Sequence, residues 1–139
     1  MIVIADLETN GLYDDVTRVH CIGIKVDDKP TEVYTNTPLD ISDGPLSMAL
    51  DIMSEADVLV FHNGINYDIP VLEKLYPNWT YKTTHDSLLL SRLVFPNIGL
   101  TDANRRTLPS KLKGSHSLKA WGYRLRLHKG DYGEQEDAW

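Results

Sequence analysis

Asp6 and Glu8 are the first residues of the chain whose types and spacing suit chemistry. They follow an unbroken apolar run, Ile2 to Ala5, which reads as a strand buried on both faces. Side chains alternate along a strand, so a spacing of two points both carboxylates to the same side of the sheet. Two such anions repel unless a positive charge lies between them, and a hard divalent cation bound by oxygen supplies it. A third acid, Asp68, comes after a second apolar stretch, Asp57 to Asn63. If the two strands are neighbours, Asp68 approaches the Asp6/Glu8 pair. The bland alternatives stay open at this point: an acidic chain produces such pairs by chance, and an Asp at a helix start is commonly a plain N-cap, which does not exclude metal contact.

The elements that must position these acids read as follows. After the acidic strand, Thr9-Asn10-Gly11 supplies turn chemistry. Val19 to Val26 is a second strand, Asp27 to Pro30 a turn, and Thr31 to Asn36 a third strand, giving an antiparallel meander. Residues 45 to 55 form an amphipathic helix with Leu46, Ala49, Leu50, Met53 and Ala56 at helical spacing, and its methionines read as packing. The Asp57 to Asn63 strand then pairs parallel to the first. Asn66-Tyr67-Asp68-Ile69-Pro70 starts a helix that buries Val71, Leu72 and Leu75, with Pro70 in its first turn. A short strand over Thr80 to Thr84 and a Leu-rich helix over Ser87 to Val94, opened by Asp86, come next. Residues 95 to 114 read as loop. Ser115 or Ser117 caps a last helix running to about Leu127, with Leu118, Trp121 and Leu125 on one side. The class is α/β, a mixed sheet flanked by helices in one domain over residues 1–139.

Composition narrows the function. A hydrophobic share of 42% and a charged share of 24% suit a water-soluble globular domain. A single cysteine, Cys21, excludes an internal disulfide and reads as a core residue. The apolar N-terminal run is too short for a secretory leader and lacks a basic flank, and no stretch approaches a membrane span, so the expected location is the cytoplasm. Net charge is −6, but it is segregated: residues 1 to 104 carry a net −10, whereas residues 105 to 129 hold 8 Lys/Arg and no acid. Such a basic segment either tracks a phosphate backbone or forms a solvated helix face.

Asp6-Leu-Glu-Thr-Asn-Gly-Leu12 resembles the first motif of the DEDD (DnaQ-like) 3′–5′ exonucleases, and Phe61-His-Asn-Gly-Ile-Asn-Tyr-Asp68 resembles their second. Ser115-His-Ser-Leu-Lys-Ala-Trp-Gly-Tyr-Arg-Leu125, followed by Lys129-Gly-Asp-Tyr132, is similar to the N-terminal proofreading domain of single-subunit family A DNA polymerases from podoviruses. The likeness runs nearly the length of the chain in matching order, including His85-Asp86-Ser87. It implies a ribonuclease H-like fold and Asp6, Glu8 and Asp68 as ligands of two Mg²⁺ or Mn²⁺ ions. Such ions activate a water and stabilise the leaving 3′ oxygen in an in-line attack on the terminal phosphodiester. The resemblance also implies that Thr9, Asn10 and Leu12 lie against the 3′-terminal nucleotide, with Leu12 on the base, and that Asn63 and Asn66 bond the neighbouring nucleotide. The structural alternative for both asparagines is closure of the turn around Gly64. His62 reads as a packed strand-end residue.

One departure is marked. These enzymes carry a third motif, a Tyr or His four residues before a last metal-binding Asp, on a C-terminal helix. Asp131-Tyr132 is in the reverse order, and Asp137 has no helix around it. The expectation is therefore a domain lacking that helix, a piece of a longer polymerase or of a split gene, with one metal position incomplete and apolar surface available for self-association. The implied partner is DNA with a 3′ end, preferentially single-stranded, together with a polymerase domain and no membrane. The rival readings are a catalytically silent module of the same fold that binds DNA or a polymerase, and another metal nuclease such as a resolvase or ribonuclease.

Overall fold

A computed structural model describes residues 1–37 and 42–127. The Lys129–Tyr132 segment and Asp137 lie outside the described residues, as does part of the 38–45 loop. The chain divides into two compact units, Met1–Leu90 and Ser91–Trp139.

The first unit is built on a five-stranded sheet of order β3-β2-β1-β4-β5. Its strands are β1 (Ile2–Thr9), β2 (Val19–Val26), β3 (Thr31–Tyr34), β4 (Val58–Phe61) and β5 (Thr84–Asp86). β1 pairs antiparallel with β2 and parallel with β4, so the acidic strand is central. β2–β3 is antiparallel and β4–β5 parallel, as the meander-plus-crossover reading requires. The crossover helix α1 (Leu46–Glu55) and the helix α2 (Asp68–Leu75) share one core with the sheet. Val3, Ala5 and Leu7 of β1, Ile22 and Ile24 of β2, and Leu59 and Phe61 of β4 meet Ala49, Met53, Val71 and Leu72 there. Each of these buried side chains larger than alanine contributes about 1.5–3 kcal/mol of apolar transfer.

β1 departs from the two-face expectation. Val3, Ala5 and Leu7 are buried, but Ile2 and Ile4 on the opposite face are 50% and 48% exposed. An apolar run has no period, so it does not distinguish a strand covered on both faces from one covered on one. The open face is the one that continues into Asp6 and Glu8. Cys21 lies opposite Glu8 on β2 and is half-buried, not core. Met53 is buried whereas Met48 is exposed, because only the first lies on the inward face of α1. β5 covers Thr84–Asp86 and not Thr80 to Thr84, since its partner β4 sets the register at Leu59↔Thr84.

The helix α3 (Ser87–Val94) spans the unit boundary. The second unit adds α4 (Ile98–Asp102), a 3-10 turn at Ser110–Leu112 and α5 (Leu118–Leu125). α4 and the 3-10 turn fall where the sequence reads as loop; elements of five and three residues are too short for a helical period to register. Ser117 caps α5, its hydroxyl accepting the Ala120 N–H at 3.3 Å. The inward residue of α5 is Ala120, while Leu118 and Leu125 are exposed. Ser91 joins the pieces of this unit: its Oγ accepts the Trp121 indole N–H at 2.8 Å and bonds His116 Nδ1 at 2.6 Å. No helix among the described residues is long and apolar enough to cross a membrane.

Candidate active site

The first unit brings Asp68 to Asp6. Asp68 is the first residue of α2 and is buried, 6% exposed, although Tyr67 and not Asp68 is the N-cap and no side chain caps the helix. The plain N-cap reading of Asp68 is thereby removed. Burial pushes its carboxyl up to about 6, and the negative charge of Asp6 pushes the same way. Backbone N–H groups of Asp68 itself and of Leu7 oppose that rise without cancelling it. Asp6 and Glu8 are both exposed on the open face of β1, across from Gly23 and Cys21 respectively. Burial and then the charges of Glu8 and Asp6 raise the Cys21 thiol. Among the described residues no three His, Cys, Asp or Glu side chains gather into a group that could hold a metal ion. Asp6 and Asp68 are thus brought together, and Glu8 stands further along the strand.

The donor chemistry of these three residues is all oxygen, which suits Mg²⁺ or Mn²⁺ better than a soft cation. The raised Asp68 carboxyl beside Asp6 is the observation that fits a cation: a positive charge there offsets the burial, and then the repulsion from Asp6, that disfavour the ionised form.

The loop after β1 is held from three sides. Asn10 Oδ1 accepts the Thr17 and Arg18 backbone N–H groups, each at 3.0 Å, and its Nδ2 donates to Thr17 Oγ1 at 2.8 Å. The Asn10 amide is therefore engaged within the loop. Tyr67 OH donates to the Gly11 carbonyl at 2.6 Å, Thr9 Oγ1 donates to the same carbonyl at 3.0 Å, and the two hydroxyls touch each other. Two hydroxyl protons make two of these three contacts hydrogen bonds at any one time, and the contacts tie the residue just before Asp68 to the strand that carries Asp6. Lys74 Nζ donates to the Tyr13 carbonyl at 2.7 Å and lies 5.1 Å from the Tyr13 ring centre. Leu12, on this pinned loop, is 77% exposed.

Asn63 and Asn66 close the turn between β4 and α2. Asn63 takes a left-handed φ of 68°, which asparagine tolerates, and its Oδ1 accepts Asn66 Nδ2 at 2.9 Å. Gly64 is required beside them: a Cβ there would meet Phe61 Cβ at 2.3 Å. His62 is half-buried at the strand end, its Nδ1 2.9 Å from Ser87 Oγ.

The residue that sequence reasoning undervalued is Asp86. It opens α3 as expected, accepting the Leu88 N–H at 2.9 Å, but it also reaches back to the turn. Its Oδ1 accepts the Asn63 N–H at 3.0 Å and its Oδ2 the Ile65 N–H at 3.2 Å. Burial pushes the Asp86 carboxyl up, yet the N–H groups of Ile65, Asn63, Leu88 and Leu89 outweigh that and hold it below the usual range. The sequence signals were an Asp before a Leu-rich helix and the His85-Asp86-Ser87 likeness, which show the cap and hide the long-range clamp.

Comparison with known proteins agrees with this architecture. A family model of the RNase H superfamily matches residues 3–121. The chain is 38% identical over 141 aligned residues to the DNA-directed DNA polymerase of Escherichia phage T7, covering 94% of this chain and 20% of that protein. The DNA-directed DNA polymerase of Enterobacteria phage T3 matches to the same extent. The chain therefore spans about a fifth of the length of these relatives. A nuclease solved in its apo form superimposes with a TM-score of 0.62 at 20% identity, covering 99% of this chain and 57% of the other. A zinc-bound complex of E. coli ExoI with single-stranded DNA gives 0.56 at 14% identity, covering 85% of this chain and 33% of the other. At those identities the structural likeness shows the fold, and together with the family match over most of its length it places this chain in the RNase H superfamily.

Proposed function

We propose that the chain is the metal-dependent 3′–5′ exonuclease domain of a phage-type DNA polymerase, removing terminal nucleotides from DNA. The observation that carries the reading is the buried Asp68 set beside Asp6 on the central strand. Asp6, Glu8 and Asp68 would hold one or two Mg²⁺ or Mn²⁺ ions, which supply an activated water and stabilise the departing 3′ oxygen. The relatives' printed name, DNA-directed DNA polymerase, supports a proofreading setting with a polymerase domain beside this one. DNA as substrate draws on the same relatives, and a single-stranded 3′ end draws on the ExoI complex. The setting that follows is the cytoplasm of an infected bacterial cell.

In this reading the chain's own residues do the holding and orienting. The Tyr67–Thr9–Gly11 contacts fix the loop so that Thr9 offers a hydroxyl and Leu12 an apolar face to the terminal nucleotide. Asn10 acts by holding that loop rather than by touching the strand. Asn63 and Asn66 hold each other, with Asn66 exposed enough to meet a neighbouring nucleotide. The exposed Ile2 and Ile4 favour self-association, and a light-scattering mass of one chain at every concentration would sink that idea.

The test is incubation with 3′-labelled single-stranded DNA and Mn²⁺, beside an Asp6→Ala control. Metal-dependent release of mononucleotides, lost in the control, is expected; no release from the folded chain overturns the reading. A second reading, a silent module that binds DNA or a polymerase, is favoured by one observation, the absence of a three-carboxylate group among the described residues.

A further inference from the structure

The second unit carries a cavity of about 300 Å³ lined by Ala103, Asn104, Arg105, Arg106 and Lys113. Three of its five lining residues are cationic, and Arg105 alone of the three forms an ion pair among the described residues. The nearby acid, Asp102, is fully buried, with its oxygens taken by Arg124 Nη2 at 2.6 Å, Arg124 Nε at 3.1 Å and the Gly114 N–H at 2.9 Å. Arg124 thus neutralises Asp102 inside the unit, and Arg105 lies only at its margin, 3.7 Å away and 42% exposed. Lys113 Nζ donates to the neutral Ala103 carbonyl at 2.8 Å and keeps its charge facing the cavity. Arg106 is exposed and has no partner among the described residues.

The walls are also built to stay. Asp102 precedes Ala103 on one wall and bonds Gly114, which follows Lys113 on the other. Gly114 has a φ of 78°, a backbone conformation that glycine adopts without strain. One buried ion pair therefore fixes the spacing of the cationic groups.

We propose that this cavity binds the phosphodiester backbone of a single nucleic-acid strand, as an anchor built from residues other than the carboxylates Asp6, Glu8 and Asp68. The inference rests on the reading of the first unit as a nuclease. That unit is acidic, with residues 1 to 90 at a net −10, so attraction for a polyanion must come from elsewhere in the chain. Guanidinium groups bind phosphate oxygens through paired N–H donors, and Lys113 adds a point charge. No aromatic side chain lines the cavity, so it has nothing on which to stack a base. It grips backbone and is indifferent to sequence.

The test measures binding of the full chain to a fluorescent oligothymidylate by anisotropy, in EDTA and over a range of salt. Arg106→Gln with Lys113→Gln should weaken binding about ten-fold at moderate salt and flatten the slope of log K against log salt by roughly 1.4, about 0.7 for each charge removed. Arg106→Gln alone should give about half that change, and Arg106→Lys should restore it. Since Arg106 is exposed, its single variants keep the fold, and a melting curve checks each protein. Unchanged affinity and slope in the folded variants would overturn the proposal. So would binding of inorganic phosphate in a chain that ignores the oligonucleotide, which would leave only a small-anion site. EDTA removes catalysis from the readout. A chain that binds through these residues but releases no nucleotide with Mn²⁺ counts against the proposed nuclease alone, and one that releases nucleotides with an unaltered salt slope counts against the anchor alone.

Discussion

Asp86 Oδ1 accepts the backbone N–H of Asn63 at 3.0 Å across twenty-three positions of sequence. With the Ile65 bond at 3.2 Å, the end of β5 holds the turn that leads into Asp68. Asp86→Ala would leave the Asn63, Ile65 and Leu88 N–H groups without their acceptor, at a cost of about 2–4 kcal/mol. Asp86→Asn keeps one acceptor oxygen and should lose roughly half as much. Urea unfolding of the three proteins checks the order; equal stabilities would show that the clamp adds nothing.

Much of the fold was legible because its periods are long. The alternating run Val19–Val26 and the Leu-rich Ser87–Val94 appear at the bounds the sequence suggests. Asp6 and Asp68 were legible as a pair because each closes an apolar strand or opens the helix after it. Asp86 and Asp102 were not, since their worth lies in partners many residues distant, Asn63 for one and Arg124 for the other. Nor does a sequence show which face of β1 is covered. Tyr67 likewise looks like one more aromatic at a helix start until its hydroxyl is seen on the Gly11 carbonyl.

Asp68 gives the folded chain a pH signature. Its carboxyl titrates near 4 when unfolded and at about 6 when folded, because burial and then Asp6 disfavour its charge. Below both values the proton is bound in either state and nothing is lost. As pH rises from about 4 to 6 the unfolded chain releases its proton first, so stability falls by roughly 3 kcal/mol and then levels off. Asp68→Asn should remove that fall and make the metal-free protein the more stable one at neutral pH. Mn²⁺ should raise the melting temperature of the wild type at neutral pH and leave Asp68→Asn nearly unmoved. Parallel pH profiles for the two proteins would refute the assignment.

Gly64 has no room for a methyl group. Its added Cβ would lie 2.3 Å from Phe61 Cβ and 2.6 Å from Phe61 Cγ, and Phe61 is itself buried in the core. Gly64→Ala should therefore cost about 1–3 kcal/mol by overpacking and displace the turn that precedes Asp68. Gly64→Ala with Phe61→Leu should recover part of that loss. A single variant as stable as the wild type would mean the turn yields more easily than the contact distances imply.

Arg124 depends on Asp102 in the same way that the cavity walls do. Both groups are almost fully buried, and the guanidinium otherwise has the Ser115 carbonyl at 2.7 Å and the Trp121 ring at 4.9 Å, with no hydrogen-bond partner for Nη1 among the described residues. Asp102→Asn keeps the shape but strands a buried cation, which costs on the order of 3–5 kcal/mol at neutral pH. The side-chain bond from Arg124 holds the Asp102 carboxyl below the usual range. Its contribution is thus present above the unfolded value near 4 and is lost as pH falls through the lower folded value. The gap between wild type and Asp102→Asn should narrow on acidification below about pH 4, in urea titrations followed by near-ultraviolet circular dichroism. A gap that stays constant with pH would show that shape, and not charge, is what Asp102 provides.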